Sequence, residues 1–325
     1  MAPAHETRSN RPVAHVPVAY IDGSFVPEDE AEISIFDRAF RFADAVFDTS
    51  RTIGHRPYKF REHLERLWLS LAHARIDPGM SIDELERISR EVVASNARLI
   101  APNDDLWLRQ FVTRGAVKRV GGDARAGPTI VVTTERLNFA RMARAYRLGV
   151  PLIVPSLRAP PRASLDPRIK TTSRMTHNLA EHEVAAIDPE SYPLMLDTEG
   201  FVSESTGANF FAVLEGTLVT AGDPEVLNGI SRATVLELAG ALGLKCRQGR
   251  ITPFDLANAT EAFITATSFC MAPVRSVNGA ALGAAIPGPV TRALMDQWAK
   301  AMGHDFVAQA VSHLEPGARA ALDAR

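Results

Sequence analysis

Residues 165–180 read LDPRIKTTSRMTHNLA. Pro167 marks a turn, Lys170 follows it, and from Met175 the pattern becomes helical to about residue 186. Strand patterns lie on either side of this turn, lysine and helix, at residues 151–154 before them and near Leu194, Phe210 and Leu218 after them. Beyond these, residues 231–242 read as a helix, Ile251 and residues 261–266 as strands, and residues 289–302 as a last amphipathic helix. This alternation of helices with short strands predicts an α/β domain.

Working back toward the start, residues 17–36 alternate apolar and polar side chains around Asp22-Gly23, which predicts a hairpin. Residues 45–52 read as a strand, with a turn over 54–57 and a return strand at Tyr58 and Lys59. Residues 61–76 place Leu64, Leu67, Trp68 and Leu71 on one helical face. Ser81 and Glu84 make a capping box that opens a second helix, with Leu85, Ile88, Val92 and Val93 inward. Strands are expected at 106–113 and 129–134. The glycine-rich stretch between them, 115–127, carries Lys118 and Arg119 and is expected to be a mobile loop near a site.

The chain has 325 residues, 46% of them hydrophobic and 23% charged, as in soluble globular proteins of two domains. With 36 basic and 38 acidic residues its formal charge is −2, so no electrostatic footprint points to nucleic acid or an anionic membrane. The expected ligand is a small molecule. Two cysteines, Cys246 and Cys270, make no disulfide framework, and the chain reads as cytoplasmic. The expected division is a loose arm over 1–16, a small α/β domain over 17–134, an interdomain segment over 135–149, a larger domain over 150–313, and a loose tail over 314–325.

No glycine-rich dinucleotide fingerprint, phosphate loop, zinc-protease helix or nucleophile elbow occurs. His177 and His182 are five residues apart on a helix, the wrong spacing to share a metal with Glu183, so no metal site is expected. The remaining chemistry is local. Leu227-Asn228-Gly229-Ile230-Ser231-Arg232 runs into a helix, so its first amides are available to an anion or to a Ser231 cap. Thr265, Thr267 and Ser268 close the strand ending at residue 266. By themselves Lys170 and Glu204 read as a surface cation and a strand carboxylate.

Six segments, taken in order, resemble the class IV (fold type IV) pyridoxal-phosphate-dependent aminotransferases, a family that includes branched-chain and D-amino-acid aminotransferases, (R)-amine transaminases and aminodeoxychorismate lyases. They are FDRAFRFADAVFD (36–48), REHLERL (61–67), DPRIKTTSRMTHNLA (166–180), LDTEGFVSESTGANFF (196–211), LNGISR (227–232), and EAFITATSFCMAPV (261–274) with GPVTRAL (288–294) after it. The likeness implies a small N-terminal α/β domain and a larger C-terminal, cofactor-binding domain with a barrel-like sheet. It implies that Lys170 is the covalent anchor of the cofactor and the base that moves the substrate proton, a double task that needs a lowered amine pKa. Glu204 would pair with the pyridine nitrogen. Arg66, Ile230, Ser231 and Thr267 would hold the phosphate.

For the substrate side the resemblance implies Phe42, Arg51, Arg109, Arg119, Thr267 and Ser268, with Phe47, Trp107 and Met271 making room for a hydrophobic side chain. Surface salt bridging is the alternative for each arginine. The chain also departs from its subgroups. Met175 stands where branched-chain enzymes place a tyrosine near the cofactor hydroxyl, and Phe42 stands where they carry a pocket tyrosine. The stretch RFADAVFD lacks the histidine and tyrosine usual in (R)-amine transaminases, while KTTSRMTHNLA is closer in style to the D-amino-acid aminotransferase and lyase branches. The implied activity is ping-pong transfer of an amino group from a hydrophobic donor (a branched-chain-like amino acid, D-amino acid or (R)-amine) to a 2-oxo acid, in a homodimer. The alternative is a lyase on the same fold.

Overall fold

The computed structural model describes residues 16–117 and 127–323. It divides into two compact units, residues 1–137 with Thr171–Ser173, and residues 138–170 with 174–325.

In the first unit, Asp22-Gly23 turns β1 (Val18–Ile21) back onto β2 (Ser24–Pro27), as its left-handed residues permit. Then come α1 (Arg38–Phe42), β3 (Ala45–Ile53), β4 (Arg56–Pro57), α2 (Phe60–Ala74), α3 (Ile82–Asn96), β5 (Leu106–Thr113) and β6 (Ile130–Arg136). The antiparallel sheet has the order β2-β1-β6-β5-β3-β4. Helices α2 and α3 pack against it, with Leu64, Leu67, Leu71, Leu85, Ile88 and Val92 of the helices and Leu108, Val112 and Val132 of the strands all buried. Ser81 caps α3, accepting a hydrogen bond from the Glu84 amide at 3.1 Å. The return strand is β4 rather than residues 58 and 59; Tyr58 is already past the pairing and donates its amide to the Arg51 carbonyl.

The second unit opens on α4 (Phe139–Leu148), followed by β7 (Val150–Ile153), α5 (Met175–Ile187), β8 (Tyr192–Leu196), β9 (Val202–Ser205), β10 (Asn209–Leu214) and β11 (Thr217–Thr220). It continues through α6 (Ile230–Ala241), β12 (Cys246–Gln248), α7 (Pro253–Ala257), β13 (Glu261–Ala266), β14 (Cys270–Val277), β15 (Ala280–Ala281), α8 (Pro289–Met302), α9 (Phe306–Ser312) and α10 (Pro316–Asp323). The strands form one mixed sheet in the order β12-β11-β10-β13-β14-β7-β8-β9, with β15 on β14. A bridge between Ser205 and Ala208 ties the β9 edge to the start of β10 in mid-sheet, so the sheet curls on itself. Leu152, Leu194, Phe210, Ala212, Ile264 and Val274 fill its core.

Three expectations are corrected here. Residues 135–149 are no linker. They wind into α4, whose Phe139, Met142, Ala143 and Tyr146 recur at helical spacing and are buried, so the arginine-rich composition belongs only to the outer face. Phe139 stacks on His313 with ring centroids 4.0 Å apart, and Tyr146 meets Phe306 edge-on. The tail is not loose over its described part, because residues 316–323 form α10, which packs on α4. Ile251 is buried but lies outside any strand; it stands before α7, whose Thr252–Asp255 capping box and Pro253 start a helix at once, and the strand falls earlier, at β12. The expected arm lies outside the described residues, apart from Val16. Among the described residues no helix is long and apolar enough to cross a membrane, and no cluster of His, Cys, Asp or Glu could hold a metal.

Candidate active site

Lys170 is half-buried and held by its neighbours in the chain. Before it, Arg168 donates both Nε and Nη2 to the Asp166 carboxylate at 2.9 and 2.8 Å, and the Ile169 amide donates to the Asp166 carbonyl. These bonds from Arg168 hold the Asp166 carboxyl well below its usual range. After it, Thr171 pairs with Val46 in the first unit, where the Thr171 hydroxyl donates to the Ala45 carbonyl and that of Thr172 to the Ala43 carbonyl. The backbone on both sides of the lysine is thereby fixed, so that its side-chain freedom is the main entropy left to lose when it reacts.

Within the second unit, Lys170 and Arg174 are the cations closest in influence to Glu204, at the outer end of β9. Glu204 Oε2 accepts from Asn209 Nδ2 at 2.8 Å and Oε1 from the Leu227 amide at 3.4 Å. Burial pushes its carboxyl up to about 7, against the opposing pull of the Leu227 amide, Lys170 and the two arginines Arg174 and Arg232. Asn209 also donates to the Leu227 carbonyl at 3.0 Å. Gly229 is required where it stands, since a Cβ there would overlap Asn209 Oδ1.

The chain from Leu227 leads into α6, whose N-cap is Gly229 and whose first turn receives no side-chain cap. Ser231 is buried at this start, and so is Arg232, which donates to the Ala221 carbonyl and to Gln248 while its Nε has no partner. On the β13–β14 turn, Thr267 and Ser268 are half-buried. The turn is pinned from both sides, by Thr265 Oγ1 donating to the Cys270 carbonyl at 2.6 Å and by the Tyr146 hydroxyl donating to the Phe269 carbonyl at 2.9 Å.

The donor set fits pyridoxal phosphate. A half-buried carboxylate held by the Asn209 side chain and the Leu227 amide suits a protonated ring nitrogen, whose positive charge would offset the burial that disfavours its ionised form, and the uncapped amides at Ile230 and Ser231 with the Thr267 hydroxyl suit a phosphate. The sequence pattern does not single out Arg174 or His177 for this site. Arg174 donates to the Thr206 carbonyl, two residues past Glu204. His177 Nδ1 is buried without a hydrogen-bond partner, and burial, with the nearby positive charge of Arg174 and Lys170, pushes the imidazole down to about 4. Their positions four and seven after Lys170, at a helix start, were the available signal.

Of the remaining expected residues, Met271 on β14 is fully buried, and the others that the structure describes lie in the first unit. Arg66 on α2 is buried and forked onto Asp48 of β3. Arg109 is half-buried, its guanidinium 4.6 Å over the Trp107 ring and 3.3 Å from Glu135. Phe42 is 56% exposed, beneath the guanidiniums of Arg38 and Arg41. Arg51 is a correction. It is 1% exposed, donates to the Thr52 carbonyl and lies 3.7 Å from the fully buried Asp105, so its charge is neutralised inside the protein rather than offered to a substrate. Arg119 lies outside the described residues, as does most of the loop expected around it.

The model of the family described as amino-transferase class IV matches residues 45–277. The chain is 30% identical over 285 residues to a putative branched-chain-amino-acid aminotransferase of Methanocaldococcus jannaschii, covering 86% of this chain and 94% of that one. It is 29% identical to a D-alanine aminotransferase of Bacillus licheniformis, over 83% of this chain and 92% of the other. Among solved structures it resembles a T.th. branched-chain amino acid aminotransferase with pyridoxamine 5'-phosphate, with a TM-score of 0.77 and 26% identity, covering 89% of this chain and 95% of that one.

Proposed function

The chain belongs to the class IV amino-transferase family and is a pyridoxal-phosphate-dependent transaminase of fold type IV, and from that premise we propose that it moves an amino group from a hydrophobic amino acid or primary amine to a 2-oxo acid by a ping-pong mechanism. Bound, the cofactor supplies the carbon that accepts the amino group and the ring that draws electrons from the donor Cα. In this proposal Lys170 is the anchor and then the base that moves the Cα proton. Glu204 keeps the ring nitrogen protonated, and Ile230, Ser231 and Thr267 hold the phosphate, with Arg66 as its guanidinium ligand. The observation that carries the assignment is the half-buried Glu204, with an elevated pKa and two placed donors, in the field of Lys170 and Arg174.

A hydrophobic donor is supported by the outward face of the first unit's sheet, where Phe47 stacks on Phe111 and Trp107 lies under Arg109. It is also supported by relatives named for branched-chain amino acids and D-alanine. Arg109, Thr267 and Ser268 are the proposed partners of the substrate carboxylate, and Arg119 a further one. We assign the chain a homodimer, for which the exposed Ile35, Phe40 and Phe42 supply apolar surface, and a cytoplasmic setting, in keeping with two cysteines that form no disulfide.

The test is a half-reaction panel followed by absorbance, with L-amino acids, D-amino acids and both enantiomers of an arylalkyl amine. A hydrophobic donor alone should convert the bound cofactor to its aminated form, and a 2-oxo acid should restore it. Return to the starting spectrum with donor alone would mark a lyase instead. Lys170→Ala should bind the cofactor without a borohydride-reducible link and lose turnover; undiminished turnover with an intact link would sink the assignment.

A further inference from the structure

Asn209 opens β10 in the second unit and is buried there. Its side-chain nitrogen carries two hydrogens and meets two acceptors, Glu204 Oε2 at 2.8 Å and the Leu227 carbonyl at 3.0 Å. Turning the amide over would set Oδ1 against both of those oxygens, so its orientation is fixed. Oδ1 itself lies where a Cβ on residue 229 would stand, a place that glycine leaves open. The backbone of Asn209 pairs with Thr265 on β13, whose hydroxyl pins the turn that carries Thr267 and Ser268. One side chain thus joins the Glu204 carboxylate to the segment that runs through Gly229 into α6.

This bond does more than fill a donor. A carboxylate that accepts a hydrogen bond is favoured in its ionised form, because protonation gives up the charge-assisted part of the bond. Of the Asn209 and Leu227 donors, Leu227 stands at 3.4 Å and Asn209 at 2.8 Å, so Asn209 makes the stronger contact. Burial opposes ionisation, and the charged groups around the carboxylate, Lys170, Arg174 and Arg232, favour it. Arg174 and Arg232 donate to the Thr206 and Ala221 carbonyls, and their charge reaches Glu204 through space. A charge acting through space favours the ionised form without aiming it, whereas a hydrogen bond does both.

We propose that Asn209, seated in the gap left by Gly229, is a positioning residue for the transamination, which presents the Glu204 carboxylate, ionised and correctly turned, to the ring nitrogen of the cofactor. The proposal rests on the reading of Glu204 as the partner of that nitrogen. A residue that merely supports the fold would lower stability and leave the proton on the nitrogen. One that holds Glu204 ionised lets the proton pass from the nitrogen to the carboxylate when it is removed.

The experiment loads the full-length enzyme with pyridoxal 5'-phosphate isotopically labelled at the ring nitrogen and follows that nitrogen's magnetic resonance against pH, while borohydride reduction of the same samples reports the Lys170 link. In wild type the resonance should be that of a protonated ring at neutral pH. Asn209→Leu keeps the bulk but donates nothing. It should disfavour the ionised form of Glu204 by about 10- to 100-fold, the weight of one hydrogen bond to a charged group, and so move the resonance toward that of an unprotonated ring while the link stays reducible. Gly229→Ala, which displaces the same amide, should move it in the same direction. A ring that stays protonated in Asn209→Leu over the same pH range as in wild type overturns the proposal. A ring that stays protonated in Glu204→Gln instead removes the premise about Glu204, and a missing link in wild type removes the cofactor assignment. Should Asn209→Leu not fold, Gly229→Ala reads the same resonance: a shift toward the unprotonated ring supports the positioning role, and no shift refutes it.

Discussion

Gly229→Ala offers a quantitative test of the geometry around Glu204. The backbone at Gly229 is extended, with φ of −65°, so alanine meets no conformational penalty there. The cost is steric. The new Cβ would overlap Asn209 Oδ1 and lie 3.2 Å from Asn209 Cγ, while the next neighbour, Arg232 Cβ, is at an ordinary 3.4 Å. To make room the Asn209 amide must give up its bonds to Glu204 and to the Leu227 carbonyl. A bond to a charged carboxylate is worth about 1.5–3 kcal/mol and a neutral one about 1 kcal/mol, so Gly229→Ala should destabilise by about 2.5–4 kcal/mol. Asn209→Ala removes the same bonds and should cost a similar amount. The two should not add, because once the amide is gone the methyl introduced at position 229 has nothing to displace. Urea unfolding of the apoenzyme at pH 8, with wild type, both single variants and the double, should give a coupling energy of about 2 kcal/mol or more. If Gly229→Ala costs as much in the Asn209→Ala background as in wild type, to within about 0.5 kcal/mol, the seat of Asn209 beneath Gly229 is refuted.

Two further outcomes are expected. His177 has a folded pKa of about 4 against the ordinary 6.5, so its neutral form contributes stability that is complete above pH 6.5 and lost as the pH falls toward 4; His177→Gln should flatten that part of the acid-stability curve of the apoenzyme, and an unchanged slope would count against it. Arg51→Met strands the buried Asp105 charge and should lower unfolding stability by about 3–5 kcal/mol while leaving KM for the amino donor near wild type, whereas a rise in KM without a loss of stability would return Arg51 to the substrate.

What the sequence disclosed, and what it hid, follows the range of the forces involved. The Asp22-Gly23 hairpin, the Ser81 cap and the Leu64, Leu67, Leu71 stripe depend on residues within a few positions of each other, and the structure repeats them, although of the expected capping box only the Ser81 half forms. The order of motifs points to Lys170 and Glu204, but the environment of Glu204 is invisible in it: its donors come from residues 209 and 227, which the Ser205–Ala208 bridge brings near by folding β9 back against β10. Alternation along β3 misleads in a similar way. Asp48, Ser50 and Thr52 face the helices although polar, since a polar group there can be met by a partner on another element, as Arg66 meets Asp48 and Asp105 meets Thr52. Arg51 has the parity of the half-exposed Phe47 and Thr49 and so reads as an outward cation, yet Asp105 covers it. The residues 135–149 failed for the opposite reason. There the local signal is present, as Phe139, Met142, Ala143 and Tyr146, but average composition hides the period, because three arginines on the solvent side of α4 mask the four side chains that hold it to the core.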